Sequence, residues 1–506
     1  MEGRSVKAQS RTTDMHVVEK SDCAVVPVNH PNKAAQAPAE GGEGRAQRKE
    51  NIDQSRMLLT QSGEGMSQRL NDVRKAAKNR KQEQFTALLH HLNIDLLRDS
   101  FYALKRQASP GLDGVRWQEY ETGLEDRIVD LHSRIHRGTY RAQPSRRVYI
   151  PKADGRQRRL GVAALEDKIV QQAVVAILNQ IYEVDFRGFS YGFRPGRSPH
   201  QALDALAVGL QRKKVNWVLD ADIRGFFDNM SHEWTLKFIE HRVADRRIHR
   251  LIRKWLKAGV SEDGQWSETK QGTPQGAVAS PLLANVYLHY VFDLWADVWR
   301  RKVAKGDVII VRYADDLALG FQLKADAMRF LDEFRERLAK FGLELHPEKT
   351  RLIEFGRYAV RDRKLRGESK PSTFSFLGFT HFCGQRHKTG TFTVGRITAK
   401  TRMAAKLKAI KVELRNRMHD RPAKTGAWLR KVVVGYYRYH AVPGNLGQLS
   451  TFRQRVNRLW YQALARRSQR ARRRWEVLIP LFERWIPRPQ VLHPYPEARF
   501  YATHPS

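Results

Sequence analysis

The chain has 506 residues, with 91 Lys or Arg against 53 Asp or Glu and a formal charge of +38. That length supports about three domains with a substantial core, and 41% hydrophobic residues with 10% aromatics fit a folded protein. So large a positive charge excludes an ordinary metabolic enzyme and draws polyanions, phosphate backbones above all.

In chain order, residues 1–65 are rich in Ala, Gly, Ser, Gln and charge, and read as a mobile tail. Order is expected from Met66. Phe85, Leu88, Leu89, Leu92, Leu96 and Leu97 recur at helical spacing. Ser109-Pro110-Gly111-Leu112-Asp113-Gly114 is a turn. From about 140 to 200 the chain reads as basic and loop-rich, with a strand at Arg147-Val148-Tyr149-Ile150. Residues 215–222 read as a buried strand, and 232–258 and 281–298 as helical. Two apolar runs, Val308-Ile309-Ile310-Val311 and Leu317-Ala318-Leu319, flank Tyr313-Ala314-Asp315-Asp316 and predict a hairpin. A helix follows, its apolar face carrying Met328, Leu331, Phe334 and Leu338. Strand-like pieces recur at 351–355 and 374–379.

Composition shifts after about residue 394. Between 395 and 475 there are 22 Lys or Arg and two acids, Glu413 and Asp420. Met403, Leu407, Ile410, Leu414 and Met418 mark one amphipathic helix; Leu449, Phe452, Val456, Leu459 and Trp460 mark another. The prediction is a helical domain with a cationic outer face. Its densest patch is Arg466, Arg467, Arg470, Arg472, Arg473 and Arg474. Cations interleave with Trp428, Tyr436, Tyr437 and Tyr439, a mixture that suits phosphate contact and base stacking, though most of these rings are expected in the core.

The strand 215–222 ends in Asp222, and the hairpin carries Asp315 and Asp316 at its tip. Three carboxylates on neighbouring strand ends form a site for a divalent metal. Hard oxygen ligands suit Mg²⁺, two ions being expected with Mn²⁺ as the alternative. Taken alone, Asp-Asp is equally a good turn pair. Metal beside a basic, phosphate-seeking surface is the chemistry of a nucleic-acid polymerase.

The residues around the acids sharpen this. Asp222-Ile223-Arg224-Gly225-Phe226-Phe227-Asp228 comes first, then Gly272-Thr273-Pro274-Gln275-Gly276 with Ser280-Pro281-Leu282-Leu283-Ala284-Asn285, then Tyr313-Ala314-Asp315-Asp316. Lys105 to Gly114, Ile150-Pro151-Lys152-Ala153-Asp154-Gly155 and Tyr191-Gly192-Phe193-Arg194-Pro195-Gly196-Arg197-Ser198 extend the pattern. From about 85 to 475 the chain resembles the reverse transcriptases encoded by bacterial group II introns, the intron maturases. The resemblance implies an α+β fold, a right-hand polymerase of fingers, palm with antiparallel sheet, and thumb, followed by an α-helical maturase (X) domain. Its expected boundaries are a tail at 1–65, N-terminal extension and fingers at 66–215, palm at 216–390, thumb and X domain at 391–480, and a C-terminal tail at 481–506.

The resemblance also implies roles. Asp222 and Asp315 match metal ligands, and Asp316 completes the triad. Phe227 matches the steric gate against a ribose 2′-hydroxyl, a core aromatic being the other reading. Gln275 matches the residue that braces the incoming nucleotide, with Gly272 and Gly276 allowing close backbone approach. Lys152 and Arg158 match residues that hold the triphosphate, Arg159 being a rival for Arg158. Lys349, within His346-Pro347-Glu348-Lys349-Thr350, matches a lysine that protonates pyrophosphate. Phe376-Leu377-Gly378-Phe379 resembles the turn that grips the primer end, and a plain core strand explains it as well. His90-His91 reads as a surface or capping pair.

The implied activity is RNA-directed DNA synthesis on intron RNA, with binding of that RNA for splicing and mobility. The implied partners are structured intron RNA, an RNA template, a DNA primer, dNTPs and target DNA, with no membrane. The sequence has no run of the roughly 18 apolar residues a span needs. Two distant cysteines, Cys23 and Cys383, argue for a reducing compartment, the bacterial cytosol or nucleoid. Glu2, Asp14, Glu19 and Asp22 argue against a transit peptide. Many family members continue into a Cys-containing H-N-H endonuclease domain. Here Leu492-His493-Pro494-Tyr495-Pro496 follows the X region without Cys pairs, so bottom-strand cleavage is not expected and priming at a replication fork is. The alternatives are a domesticated reverse transcriptase in DNA repair or defence, a diversity-generating retroelement enzyme, a splicing factor with a silent polymerase site, and an RNA-dependent RNA polymerase.

Overall fold

The computed structural model describes residues 68–503 except 82, 152–156, 387–388 and 468–473. The expected tail 1–65 and the expected start of order at Met66 lie outside the described residues. The fold is α+β, with three sheets followed by a helical region.

The N-terminal part is built from helices on a small sheet. Helix α1 (Ile94–Ala103) begins at Asn93, whose side chain accepts from the Leu96 amide at 2.9 Å. The expected single helix through Phe85 is therefore interrupted. Phe85 instead makes a parallel bridge to Val243, and Leu89–His91 is a lone 3₁₀ turn. Helix α2 (Leu124–Arg137) closes at Gly138, which takes the left-handed cap conformation at φ +80°. Strands β1 (Ser145–Pro151) and β2 (Gln157–Val162) pair antiparallel.

The stretch expected to be loop-rich contains helix α3 (Leu165–Asp185), 21 residues long. It is buried almost all round, with Ile169, Ala173, Ile177 and Ile181 on its innermost face. A helix covered on every side lacks the polar face that marks amphipathic ones. Helix α4 (Pro199–Arg212) starts from a reciprocal Ser198–Gln201 capping box with Pro199 at its first position.

The central sheet holds β3 (Trp217–Asp222), β6 (Val308–Tyr313), β7 (Asp316–Phe321) and β8 (Arg351–Glu354) in the order β6-β7-β3-β8, all antiparallel. Between β3 and β6 run α5 (Phe226–Asn229), α6 (His232–Glu240) and α7 (Arg246–Lys257). They are followed by β4 (Val260–Glu262), which joins β1 in parallel, and β5 (Gln265–Ser267). Helix α8 (Ser280–Leu288) passes through a π-helical turn, His289–Asp293, into α9 (Leu294–Lys302).

Alternate residues of the central sheet enter two separate cores. Leu219, Ile310, Leu317 and Leu319 pack with the helices of the N-terminal part; Val218, Val311, Ala318 and Ile353 pack with α4 and the third sheet. Helix α10 (Lys324–Ala339) covers the first face through Ala327, Phe330, Phe334 and Leu338. Met328, expected on that face, is 51% exposed, because the true stripe sits one residue earlier.

The third sheet holds β9 (Phe374–Phe376), β10 (Phe379–Gln385) and β11 (Phe392–Thr398), and four helices follow: α11 (Lys400–Asn416), α12 (Pro422–His440), α13 (Leu446–Ala465) and α14 (Trp475–Trp485). Their core contains Met403, Leu407, Ile410, Leu449, Phe452 and Trp460. Met418, expected to extend α11, lies past its end. The chain then returns to the central region: α15 (Pro496–Thr503) lies on α4, with Arg499 2.8 Å from the buried Asp204 and His493 stacked on His200 at 3.9 Å. Among the described residues no helix is long and apolar enough to cross a membrane.

Candidate active site

Strand β3 ends in Asp222 and β7 begins with Asp316, and the register sets these residues directly opposite each other. Opposed residues of antiparallel strands share a face, with Cβ atoms roughly 5 Å apart, where like charges repel. Asp315 occupies the turn between β6 and β7, just after Ala314, whose φ is +56°. Asp222 and Asp316 are buried and Asp315 is half-buried. Burial pushes the Asp315 carboxyl up to about 6, the charge of Asp222 adds to the rise, and Arg158 and Lys349 oppose it.

The end of β3 is held from the far side by residues 344–350. His346 N donates to the Asp222 carbonyl at 2.7 Å, and Asp222 N lies 3.4 Å from Thr350 Oγ1. That fold brings Lys349 Nζ within 3.3 Å of Asp222 Oδ2. Among the described residues no three acidic or imidazole side chains stand in ligating geometry. Asp222 faces Lys349 instead. The donor set still suits a hard cation: three carboxylates share adjacent strand ends, burial and the Asp222 charge both disfavour the ionised Asp315, and a cation beside them would offset both costs.

Arg158 and Arg159 alternate along β2. Arg158 is half-buried and close enough to Asp315 to favour its ionisation, while Arg159 is exposed. Gly161 N, three residues on from Arg158, donates to the Gln275 carbonyl at 2.8 Å, which ties β2 to the 272–276 loop. The other side of that loop meets α5, where Thr273 N donates to the Phe227 carbonyl at 2.8 Å. Only glycine fits at 272: a Cβ there would stand 2.6 Å from the Asp228 carbonyl oxygen. The half-buried Phe227 ring meets Phe193 edge-on, with centroids 6.5 Å apart. Lys152 lies outside the described residues.

The family model for reverse transcriptase (RNA-dependent DNA polymerase) matches residues 150–381, the stretch from β1 to β10 that carries all three acids. Protein YkfC of Escherichia coli (strain K12) is 33% identical over 52% of this chain and 78% of its own length. The group II intron-encoded protein LtrA of Lactococcus lactis subsp. cremoris is 33% identical over 60% of this chain and 45% of its own length. The chain belongs to the reverse transcriptase family. A 91 kDa protein in the cob intron of Schizosaccharomyces pombe, uncharacterized, is 30% identical over 52% of this chain and 32% of its own. The chain thus spans most of YkfC and less than half of LtrA.

In this reverse transcriptase, Phe376-Leu377-Gly378-Phe379 is a hairpin turn and not a continuous strand. Leu377 and Gly378 both have positive φ, +47° and +77°, as a two-residue type I′ turn requires. Tyr439 on α12 donates to the Leu377 carbonyl at 2.8 Å, so the helical region braces this turn. Burial raises the pKa of the Tyr439 phenol, with smaller contributions from Tyr313 and Asp316, which sets it beside the acidic hairpin. Of the cationic patch, Arg466 and Arg474 are exposed. Arg467 is half-buried and donates to the Asp420 carbonyl at 2.6 Å, so part of its donor capacity is used within the fold. Arg470, Arg472 and Arg473 lie outside the described residues. Tyr436, Tyr437 and Trp460 are core residues, as expected.

Sequence reasoning passed over Arg312 and Asp293, a fully buried ion pair at 2.6 Å directly behind the acidic turn. The signal was present: each is a single charge inside an otherwise apolar run, Val308-Ile309-Ile310-Val311-Arg312 and Tyr290-Val291-Phe292-Asp293-Leu294. Charged residues are almost never fully buried unless paired.

Proposed function

We propose that this reverse transcriptase copies intron RNA into cDNA by two-metal nucleotidyl transfer and binds that RNA to assist splicing and mobility. The observation that carries the reading is the register opposing Asp222 to Asp316 with Asp315 beside them. Asp222, Asp315 and Asp316 are the residues that would hold two Mg²⁺ ions, Mn²⁺ being the alternative. When bound, such ions activate the primer 3′-hydroxyl and stabilise charge at the phosphorus.

The remaining groups bind and orient. Arg158, with Lys152, grips the triphosphate of the incoming dNTP; the guanidinium fork suits bidentate phosphate contact. Gln275 braces the nucleotide from a loop anchored at both ends, and the Phe227 ring closes the space a 2′-hydroxyl would need. Lys349 donates a proton to the departing pyrophosphate. The Leu377–Gly378 turn supports the primer end. Arg466, Arg467, Arg470, Arg472, Arg473 and Arg474 bind structured intron RNA through its phosphates, giving salt-dependent affinity. Target DNA is the acceptor for mobility, in the cytosol or nucleoid. The maturase part is supported by relatives: LtrA is a group II intron-encoded protein, and a further relative, 30% identical over 21% of this chain, is nuclear intron maturase 2 of Arabidopsis thaliana.

The test is splicing of precursor RNA from the native locus at low Mg²⁺, with primer extension on an RNA template in parallel. Wild type and Asp315→Ala/Asp316→Ala proteins are compared. Splicing by both with cDNA from wild type alone supports the reading. Wild-type cDNA without improved splicing reassigns the enzyme to another task, such as DNA repair or defence. Absence of cDNA from wild type overturns the polymerase.

A further inference from the structure

Three segments far apart in sequence meet behind the turn that carries Asp315. Arg312, on β6, is fully buried. Its guanidinium forks onto Asp293, Nε donating to Oδ1 at 2.7 Å and Nη2 to Oδ2 at 2.6 Å. Nη1 donates to Asn285 Oδ1 and to the Ala314 carbonyl, both at 3.0 Å. Asn285 Nδ2 then donates to the Gly192 carbonyl at 2.7 Å. Gly192 presses on the turn itself: a Cβ there would lie 2.2 Å from Ala314 N. The backbone completes the clamp, Arg312 N donating to the Phe189 carbonyl at 2.9 Å and Tyr191 N to the Arg312 carbonyl at 2.8 Å.

The clamp acts on a strained position. Ala314 has a left-handed φ that a residue with a Cβ adopts at a cost, and such conformations persist only where the surroundings over-determine them. Here the carbonyl is fixed by Arg312 and the amide side is pressed by Gly192. The π-helical turn contributes to the same end. A regular α-helix leaves residue i+8 about 80° round from residue i. The wider turn at His289–Asp293 reduces that angle, so Asn285 and Asp293 both reach one guanidinium.

We propose that Arg312 is the positioning residue of the catalytic centre: through the Ala314 carbonyl it fixes the left-handed turn that presents Asp315 beside Asp222, with Asp293 and Asn285 as its supports. The proposal rests on the polymerase reading above, and it predicts an effect on the acid turn that a general loss of stability would not produce. Arg312 touches neither nucleotide nor primer in this role. Its removal should therefore lower kcat and weaken metal binding while leaving nucleotide KM and template–primer affinity in place.

The experiment uses the full chain. Arg312→Met/Asp293→Leu removes both charges together, so neither is left buried alone. Asn285→Ala removes only the strut between Arg312 and Gly192. Four quantities are read: amide hydrogen exchange over residues 310–318, Mn²⁺ affinity without nucleotide by electron paramagnetic resonance, primer-extension kcat, and dNTP KM with template–primer Kd. For the double variant we expect faster exchange confined to 313–316, Mn²⁺ affinity about tenfold weaker and kcat about 100-fold lower, the scale of an ångström-level misplacement. KM and Kd should stay within about twofold. Asn285→Ala should move the same readouts in the same direction by smaller amounts. Folded variants with wild-type exchange, Mn²⁺ affinity and kcat overturn the proposal. So does loss of fold in both, since the network would then hold the domain and not the turn. If wild type makes no cDNA but the variants still loosen residues 313–316, the polymerase reading fails and the clamp on the turn stands.

Discussion

Replacing Asp315 by Asn should make the metal-free protein more stable while abolishing polymerisation. The carboxyl is held at about 6 against an ordinary 3.8, chiefly by burial and then by the charge of Asp222. Raising the carboxyl from 3.8 to about 6 is worth up to roughly 3 kcal/mol. Asp315 is partly solvated, so screening reduces this to about 1–2 kcal/mol. The sign follows from the two proton affinities. The unfolded chain releases this proton near pH 4 and the folded chain near pH 6, so rising pH favours the unfolded state across that window. Wild type loses the stability between pH 4 and 6 and does not regain it above; the amide variant has nothing to lose there. Thermal melting in EDTA should show equal midpoints near pH 4 and a gap of about 1–2 °C at pH 8, since an unfolding entropy of roughly 2 cal/mol/K per residue gives about 1 °C per kcal/mol in a chain of this length. Adding Mg²⁺ at pH 8 should raise the wild-type midpoint and narrow the gap. Equal midpoints at both pH values, or a variant less stable at pH 8, would show that burial and the Asp222 charge do not hold the Asp315 carboxylate at a cost.

Other consequences are equally open to measurement. Arg158→Ala should raise the dNTP KM about tenfold or more, the loss of a charge-assisted contact, whereas Arg159→Ala should change it less than about twofold; steady-state primer extension separates them. Phe227→Ala should cut discrimination against ribonucleotides by roughly tenfold or more, read from competing dNTP and rNTP incorporation. Asp245 accepts from the Leu88, Leu89 and Arg247 amides at 2.7, 3.0 and 2.9 Å. Burial alone would raise its pKa, but these bonds and the Arg247 side chain hold it at about 2. Asp245→Ala should cost about 2–4 kcal/mol at neutral pH, since two buried amides lose their acceptor. Because its folded pKa is depressed, wild type should lose this advantage as pH falls from about 4 to 2, and the variant should not. Arg499→Ala should speed hydrogen exchange across Pro496–Thr503, leaving Asp204 with Arg396 at 2.9 Å as its remaining partner.

The parts of the site that sequence exposes are those written in short-range pattern. Apolar runs ending in acids located Asp222, Asp315 and Asp316, because a strand alternates faces and a tight turn tolerates acids. Lys349 and Gln275 entered only through family likeness; their arrival depends on contacts between residues 344–350 and β3, and between the 272–276 loop and β2. The choice between Arg158 and Arg159 is a question of which face of β2 looks inward, and register carries that information. Helix α3 was missed because full burial erased its polar stripe, and Met328 was misplaced because a window of mixed residues admits two faces one position apart. The Arg312–Asp293 pair was missed for another reason. Its meaning appears only when β6 and the π-helical turn are seen side by side.

The central place of β3 in its sheet has a consequence for synthesis. Asp222 and its partner Asp316 are 94 residues apart (316 − 222), and both neighbours of β3, namely β7 and β8, follow it in the chain. At roughly 5–20 residues per second, a ribosome leaves β3 without β7 for about 5–20 seconds and without β8, which ends at Glu354, for about 7–26 seconds. During that interval Val218 and Leu219, which end in separate cores, are without the β7 and β8 residues that cover them. A nascent chain stopped before Asp316 carries a sticky edge and no catalytic pair, and one stopped between there and Glu354 still leaves one edge of β3 open. Yields in a heterologous host should therefore respond to translation speed between codons 222 and 354, where a pause prolongs exposure and brisk passage shortens it.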